Sequence, residues 1–204
     1  TITALDGPDV AADTWQHVVG VYDGSNIRIY INGLLANTNF PCSYVANTNA
    51  PLRIGAGTTE TAPSLFFPGT IDEVAVYGKV LTADQIAAHY AGATADPAGY
   101  AALIAAKTPA GYWRLNEGVL PPYVPYAATN SGSLLSALDG VYSLAGATSG
   151  VAGPLRSQFA GFASDNKSVA LNGTSGQINI PGFATVTDTC TITGWIKRNG
   201  TQVG

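Results

Sequence analysis

The chain has 204 residues, of which 46% are hydrophobic and 11% are charged, and its formal net charge is -4. This balance is that of a globular protein with a full core, and it excludes a disordered chain. Its nine Lys and Arg residues form no basic stripe, so nucleic acid is not an expected partner. No apolar run reaches the ~18 to 20 residues that a membrane-spanning helix needs, so we expect no membrane insertion.

Two consecutive β-hairpins are predicted between residues 16 and 36. The dipeptides Asp23-Gly24 and Asn32-Gly33 supply the tight turns, because these residues tolerate the positive φ that such turns demand. The isoleucines between the turns alternate with Arg28 and Tyr30, which predicts a strand that buries its isoleucine face.

A loop and a short helix follow the hairpins. Residues 37–50 are rich in Asn, Thr, Ser and Pro, which predicts a long surface loop. Thr82 and Gln85 have the spacing of a capping box, which predicts a short helix over 82–90, and we expect Gly92 to end it.

The Ala- and Pro-rich stretch 93–110 is predicted to be a linker with one or two helical turns. Beyond it, short strands separated by Gly-containing turns resume through residue 197. Short strands with frequent Gly turns and one small helix predict an all-β fold, an antiparallel β-sandwich.

The first part of the chain resembles the closing half of the laminin-G-like, concanavalin-like jelly roll. The similarity lies in four motifs: Trp15 to Gly24, Ile29 to Gly33, Pro68 to Tyr77, and Leu81-Thr82 with the short helix. In that family these elements come late and in this order.

The second part of the chain resembles the opening half of the same family. The motifs are Gly111 to Glu117, the turn-rich stretch 130–140, Val169 to Gly173, and Cys190 to Lys197. The resemblance therefore implies a jelly-roll sandwich whose order is reversed, with 1–92 as a C-terminal half, 93–110 as a linker and 111–204 as an N-terminal half.

Three arrangements explain the reversed order. The chain is an excerpt of a tandem array, a circular permutant, or a unit whose halves complete those of a partner, and the linker followed by a fresh opening motif favours the excerpt. In each case a half-sandwich exposes an apolar sheet face and unpaired strand edges. Each half is therefore expected to pair with the other half, with a copy, or with further chain.

The carboxylates give no sign of glycosidase chemistry. Asp72 and Glu73 are adjacent in a predicted strand, so we expect them on opposite faces, with Asp72 on the face of Val74 and Val76. Such a pair does not form the ~5 to 9 Å arrangement that glycoside hydrolysis requires. No Ser-His-Asp or Cys-His catalytic arrangement can be proposed for His17 or His89. We therefore expect a protein that is not an enzyme.

The family resemblance implies a structural calcium ion, because acids at two positions of this chain correspond to a place where some members of the family hold one. In the family an acid at the position of Asp72 lies near the early turns, to which Asp139 belongs in this chain. Calcium takes six to eight oxygen ligands, and Gly-rich turns supply backbone carbonyls. A hydrogen-bonded or capping role for Asp72 is the alternative.

Tyr44, Tyr123 and Tyr126 are the candidate ligand contacts, because aromatic residues on polar loops have no obvious packing role. Trp15, Trp113 and Trp195 belong to strand motifs and are expected in the core. Cys42 and Cys190 allow one disulfide at most. Cys190 alternates with Ile192 and is expected to be a buried thiol, with a bridge to Cys42 as the alternative.

The resemblance and a surface built from Thr, Ser, Asn and Gly favour a secreted or cell-surface protein. We expect a non-catalytic adhesion module whose partner is a glycan or another matrix component. The alternatives are a structural repeat of a surface filament, which would bind neighbouring copies of itself, and an accessory domain of a polysaccharide-degrading enzyme.

Overall fold

The computed structural model describes residues 10–41, 51–57, 62–95, 99–119, 126–183 and 188–200. The strands of the first part are β1 (Gln16–Tyr22), β2 (Asn26–Ile31), β3 (Leu34–Pro41), β4 (Leu52–Ile54), β5 (Ala56–Gly57), β6 (Ser64–Phe66) and β7 (Pro68–Tyr77). Two helices follow, α1 (Ala83–Ala95) and α2 (Tyr100–Ala105). The strands of the second part are β8 (Gly111–Trp113), β9 (Ala127–Ala128), β10 (Gly140–Tyr142), β11 (Ala147–Ala152), β12 (Lys167–Asn172), β13 (Ile178–Ile180) and β14 (Cys190–Arg198), with a 3₁₀ turn at Leu135–Leu138.

One large antiparallel sheet combines both parts of the chain. Its order is β11-β12-β7-β14-β1-β2-β3, and β8 also pairs with β7. The late strand β14 lies between two early strands, since Trp195 pairs with His17 of β1 and with Asp72 of β7. The two predicted halves therefore pair with each other in this chain. Their origin from two modules stays a prediction.

A smaller antiparallel sheet faces the large one. Its order is β4-β13-β10-β9, so it also takes strands from both parts of the chain. Two packed antiparallel sheets, together with the helices on the far face of the large sheet, confirm the predicted all-β concanavalin-like sandwich.

The helix-side core lies between the large sheet and the two helices. The sheet contributes alternate residues, such as Val19 and Val21 of β1 and Trp195 of β14, and the helices contribute Ile86 and Ile104. Period-two alternation places these strand residues on one face, which the helices cover.

The structure extends the predicted helix and orders part of the predicted linker. The capping box is present, because Gln85 N donates to Thr82 Oγ1 and Thr82 N donates to Gln85 Oε1. However, α1 continues past Gly92 to Ala95. A Cβ at Gly92 would lie 2.5 Å from a Leu103 methyl group, so this glycine admits the close approach of α2 instead of ending α1.

The sheet-side core lies between the two sheets. The large sheet contributes Ile71, Val74 and Val76, and the small sheet contributes residues such as Ile178 and Ile180. The core is apolar, as expected where two inner sheet faces meet.

The small sheet covers only part of the large sheet. Beyond β4, an open groove of about 330 Å³ runs along β14 and β1 and is lined by residues that include Val18, Ile192 and Ile196. The prediction that β2 buries its isoleucines is wrong, because the small sheet leaves part of the large sheet uncovered. Tyr30 of β2 is buried in the helix-side core, while Ile29 is only half-buried.

Candidate functional site

A junction pocket of about 420 Å³ opens where the residues just before β1 meet the second part of the chain. Its lining comes from four segments: residues 13–15 before β1, the end of β11, a turn over 155–159, and β14. The lining residues are Asp13, Thr14, Trp15, Ala152, Gly153, Leu155, Gln158, Phe159 and Lys197. Its volume is within the range of small-molecule sites, about 300–1,000 Å³.

Local interactions fix the walls of the junction pocket. Gln158 N and Phe159 N both donate to Leu155 O, at 2.9 and 2.8 Å, which closes the turn. The Phe159 ring packs edge-on against Trp195, with centroids 4.7 Å apart. On the opposite wall, Asp13 N donates to Arg198 O at 2.8 Å. The pocket is thus held by backbone bonds and aromatic packing.

The lining combines aromatic surface with both signs of charge. Lys197 Nζ lies 5.5 Å from the centroid of the Trp15 ring, within the range of a cation–π contact. The two ion pairs of the described residues are Arg28–Asp23 and Arg114–Glu73, so neither Asp13 nor Lys197 is neutralised by one. These two side chains remain available to a ligand.

A buried acid lies directly behind the pocket wall at Gly153. Asp72 is fully buried and accepts hydrogen bonds from Asn166 Nδ2 at 2.7 Å and from Glu73 N at 2.9 Å. A Cβ at Gly153 would lie 2.9 Å from Asp72 Oδ2 and 2.3 Å from Asn166 Nδ2. Only glycine therefore fits between the pocket and this pair.

Glu73 lies in a β-bulge that turns it toward the helix side. Its φ is 51°, and the pairing of β7 with β14 shifts between Thr193 and Trp195. The Tyr112 hydroxyl donates to Glu73 Oε2, and Arg114 Nε donates to Oε1 at 3.1 Å. A bulge inserts one residue into the alternation, so both carboxylates face the helix side.

The prediction that Asp72 and Glu73 lie on opposite faces is therefore wrong. Asp72 shares its face with Trp195, whereas Val74 and Val76 point into the sheet-side core. Burial raises the pKa of both carboxyl groups, and the neighbouring Glu73 raises that of Asp72 further. Both acids are closed off from solvent and bonded to protein groups.

Among the other predicted site residues, the structure describes Tyr126 and Asp139. Tyr44 and Tyr123 lie outside the described residues, and Tyr126 is half-buried and packs against the sheet-side core. Asp139 Oδ1 accepts from Asn130 N at 2.8 Å, so its partner differs from those of Asp72. Within the described ranges no group of three or more His, Cys, Asp or Glu side chains is arranged to hold a metal. Calcium binding stays a prediction.

The tryptophans and cysteines are the remaining residues for which the sequence predicted a placement. The three tryptophans are buried, which confirms their expected core placement. Cys190 is half-buried, and burial raises the pKa of its thiol. Cys42 lies outside the described residues.

Sequence reasoning missed the residues of the junction pocket. Lys197 had a signal, because it follows Trp195 at the spacing of two that places both on one face of β14. Gln158 and Phe159 belong to no motif, and only the folded turn brings them to Trp15.

The resemblance found in the sequence predicts the order of the elements in the first part of the chain. The structure has that order, with β1, β2 and β3 first, then β7 and then α1. Residues 1–87 match the family model of the concanavalin A-like lectin/glucanases superfamily. The match confirms the predicted resemblance for this part of the chain, which supplies β1 to β7 and the first turn of α1. The superfamily includes both enzymes and non-enzymes.

Comparison with curated proteins and with solved structures identified no related protein. No curated protein and no solved structure matches the chain. None of the helices in the described ranges is long and apolar enough to cross a bilayer.

Proposed function

We propose that this protein is a non-catalytic, extracellular module that binds carbohydrate in the junction pocket. The observation that carries the proposal is the pocket lining, in which the apolar surfaces of Leu155 and Phe159 lie beside the polar side chains of Asp13, Gln158 and Lys197. A sugar ring has apolar C–H faces and a polar rim of hydroxyl groups. Pockets that join apolar surface to a few polar groups match such a ligand.

A binding role is favoured over hydrolysis by the positions of the carboxylates. Glycoside hydrolysis by two acids needs both of them at the scissile bond. Asp72 and Glu73 are fully buried and bonded to Asn166, Tyr112 and Arg114. Asp13 is the one carboxylate among the residues that line the pocket.

The superfamily match favours a glycan or another matrix component as the partner, and a secreted or cell-surface location. The Lys197 ammonium and the Gln158 amide donate to ligand hydroxyl groups, and Asp13 accepts from them. Hydrogen bonds that involve charged groups contribute about 1.5–3 kcal/mol, or roughly tenfold or more in affinity each.

A glycan array followed by calorimetry on the best ligand tests the proposal. We expect Lys197→Ala to weaken binding at least about tenfold, and Gln158→Ala, which removes a neutral hydrogen bond of about 0.5–1.5 kcal/mol, to weaken it about two- to tenfold. Lys167→Ala is the matched control, because Lys167 lies on β12 and does not line the pocket. Silence across a broad array, or equal losses in the control, would contradict the proposal.

A second candidate function is self-association through the open groove. The groove continues the sheet-side core beyond β4 and exposes 43% of Ile192. A second copy of this chain would cover that apolar surface. We expect oligomers in sedimentation velocity that Ile192→Lys disperses, and monomers at every concentration would rule out this function.

A further inference from the structure

The junction pocket offers one negative and one positive group to a single ligand. Asp13 accepts hydrogen bonds only, and Lys197 donates only. Neither belongs to either of the ion pairs found among the described residues. A ligand that places a donor next to an acceptor satisfies both, whereas an acidic or basic ligand satisfies one and is repelled by the other.

The same lining provides apolar surface beside these charges. Leu155 is 42% exposed, and Phe159 is half-buried with one side packed on Trp195. Burying one methyl-sized group on such surface is favourable by about 0.8 kcal/mol. The complementary ligand therefore combines a donor, an acceptor and a small apolar group.

We propose that the junction pocket takes an N-acetylated hexosamine. The acetamido N–H donates to the Asp13 carboxylate, its carbonyl accepts from the Lys197 ammonium, and its methyl group lies against Leu155 and Phe159. The Gln158 amide bonds to ring hydroxyl groups. This inference rests on the proposed carbohydrate-binding function and names its ligand class.

The pocket also discriminates against the related sugars. A plain hexose has no methyl group for the apolar wall. A uronic acid has no amide N–H for Asp13, and its carboxylate is repelled by the Asp13 carboxylate. A deacetylated amino sugar lacks both the carbonyl that accepts from Lys197 and the methyl group that lies against Leu155 and Phe159. Discrimination against the uronic acid therefore comes from charge repulsion, and discrimination against the other two sugars comes from lost contacts.

Calorimetry with four β-1,4-linked trisaccharides tests the inference. The probes are trimers of N-acetylglucosamine, glucose, glucosamine and glucuronic acid. We expect the acetylated trimer to bind at least about tenfold more tightly than each of the others, since a charged hydrogen bond and a methyl contact together exceed a tenfold effect. Equal binding of the glucose trimer would overturn the inference and leave the proposed function standing. Binding of none of the sugars would overturn both.

A charge variant makes the test specific. Asp13 has a φ of 55°, a left-handed conformation that Asn also tolerates, so Asp13→Asn preserves the backbone. We expect this variant to lose about tenfold affinity for the acetylated trimer and to narrow its preference over the glucuronate trimer. Asp165→Asn, an exposed residue outside the pocket, is the matched control. An unchanged preference in Asp13→Asn would refute the assigned contact.

Discussion

The two faces of the large sheet differ in what covers them and in what they bury. Two helices and the turn at 155–159 close the helix side, where His17, His89, Asp72 and Glu73 are fully buried beside aromatic rings. The small sheet covers only part of the other face, and its core is apolar.

This difference shows that burial depends on the cover and not on the strand pattern alone. β14 presents Trp195 to the helices and Ile192 to the groove, and their exposures are 0% and 43%. A fully buried side chain loses all of its packing or hydrogen bonds when it is truncated, while a partly exposed apolar side chain loses only part of its burial. We therefore expect the helix side to be sensitive and the groove side to be tolerant.

The largest expected effect is at the centre of the helix-side core. Trp195→Ala removes a ring that contacts Phe159 and Phe162, with centroids 4.7 and 5.3 Å away. We expect the free energy of unfolding to fall by about 3–5 kcal/mol, as for other buried aromatic truncations. Guanidinium denaturation measures the loss, and Trp195→Phe provides a milder variant if the alanine protein does not fold.

Ile192→Ala on the same strand is the matched control for the other face. We expect it to cost less than about 1 kcal/mol, because its side chain is partly exposed already. Similar losses in the two variants would show that the groove is covered in solution.

A smaller effect is expected at the ion pair on the bulge. Arg114→Met leaves the buried Glu73 carboxylate with Tyr112 alone. We expect a loss of about 2 kcal/mol, below the 3–5 kcal/mol of a fully buried pair because Arg114 is partly exposed.

The loss in Arg114→Met should depend on pH. Burial already raises the pKa of Glu73, and Arg114 opposes that rise. Without Arg114 the charged form is less favourable in the folded state, so the loss is larger at pH 8 than at pH 5. Urea midpoints at the two pH values measure it, and Arg28→Met, from the surface pair with Asp23, is the control. An equal loss at both pH values would contradict this role for the pair.

A further effect, of a size similar to that at the ion pair, concerns His89. Burial lowers its pKa to about 4, and neither ring nitrogen has a hydrogen-bond partner among the described residues. Since only the unfolded chain takes up the proton between pH 6.5 and about 4, His89 lowers stability as pH falls through that window.

His89→Leu should remove the part of the acid sensitivity that His89 causes, while His17, whose pKa burial lowers to about 3, still acts in the same direction. We expect the stability difference between pH 8 and pH 5 to shrink by about 2 kcal/mol, from 1.36 kcal/mol per pH unit. Asp72 and Glu73 act in the opposite direction and are unchanged in the variant. Identical pH slopes for the variant and the parent would exclude His89 as the cause.

The sequence predicted the elements that local chemistry determines. Gly turns set the hairpins, Thr82 and Gln85 set the start of α1, and the order of motifs identified the sandwich. These features depend on residues that are close together along the chain, so a single sequence reveals them.

Features that depend on distant contacts could not be predicted. The bulge at Glu73 brings its carboxylate to Tyr112 and Arg114 of the other half, which are distant along the chain. The pocket brings Asp13 close to Gln158 and Lys197, which are distant along the chain. No local sequence pattern indicates that they lie together. Gly92 looked like a helix end because its contact with Leu103 is visible only in the fold.

The position of β14 determines when this protein is able to fold during synthesis. The bond between His17 and Thr193 joins residues 176 positions apart, so β1 and β7 leave the ribosome long before the strand that belongs between them. Proteins dominated by such distant pairings fold slowly and expose their strands meanwhile. Until β14 has been synthesised, β1 and β7 lack the strand that pairs with both of them, so their unpaired edges stay exposed to aggregation.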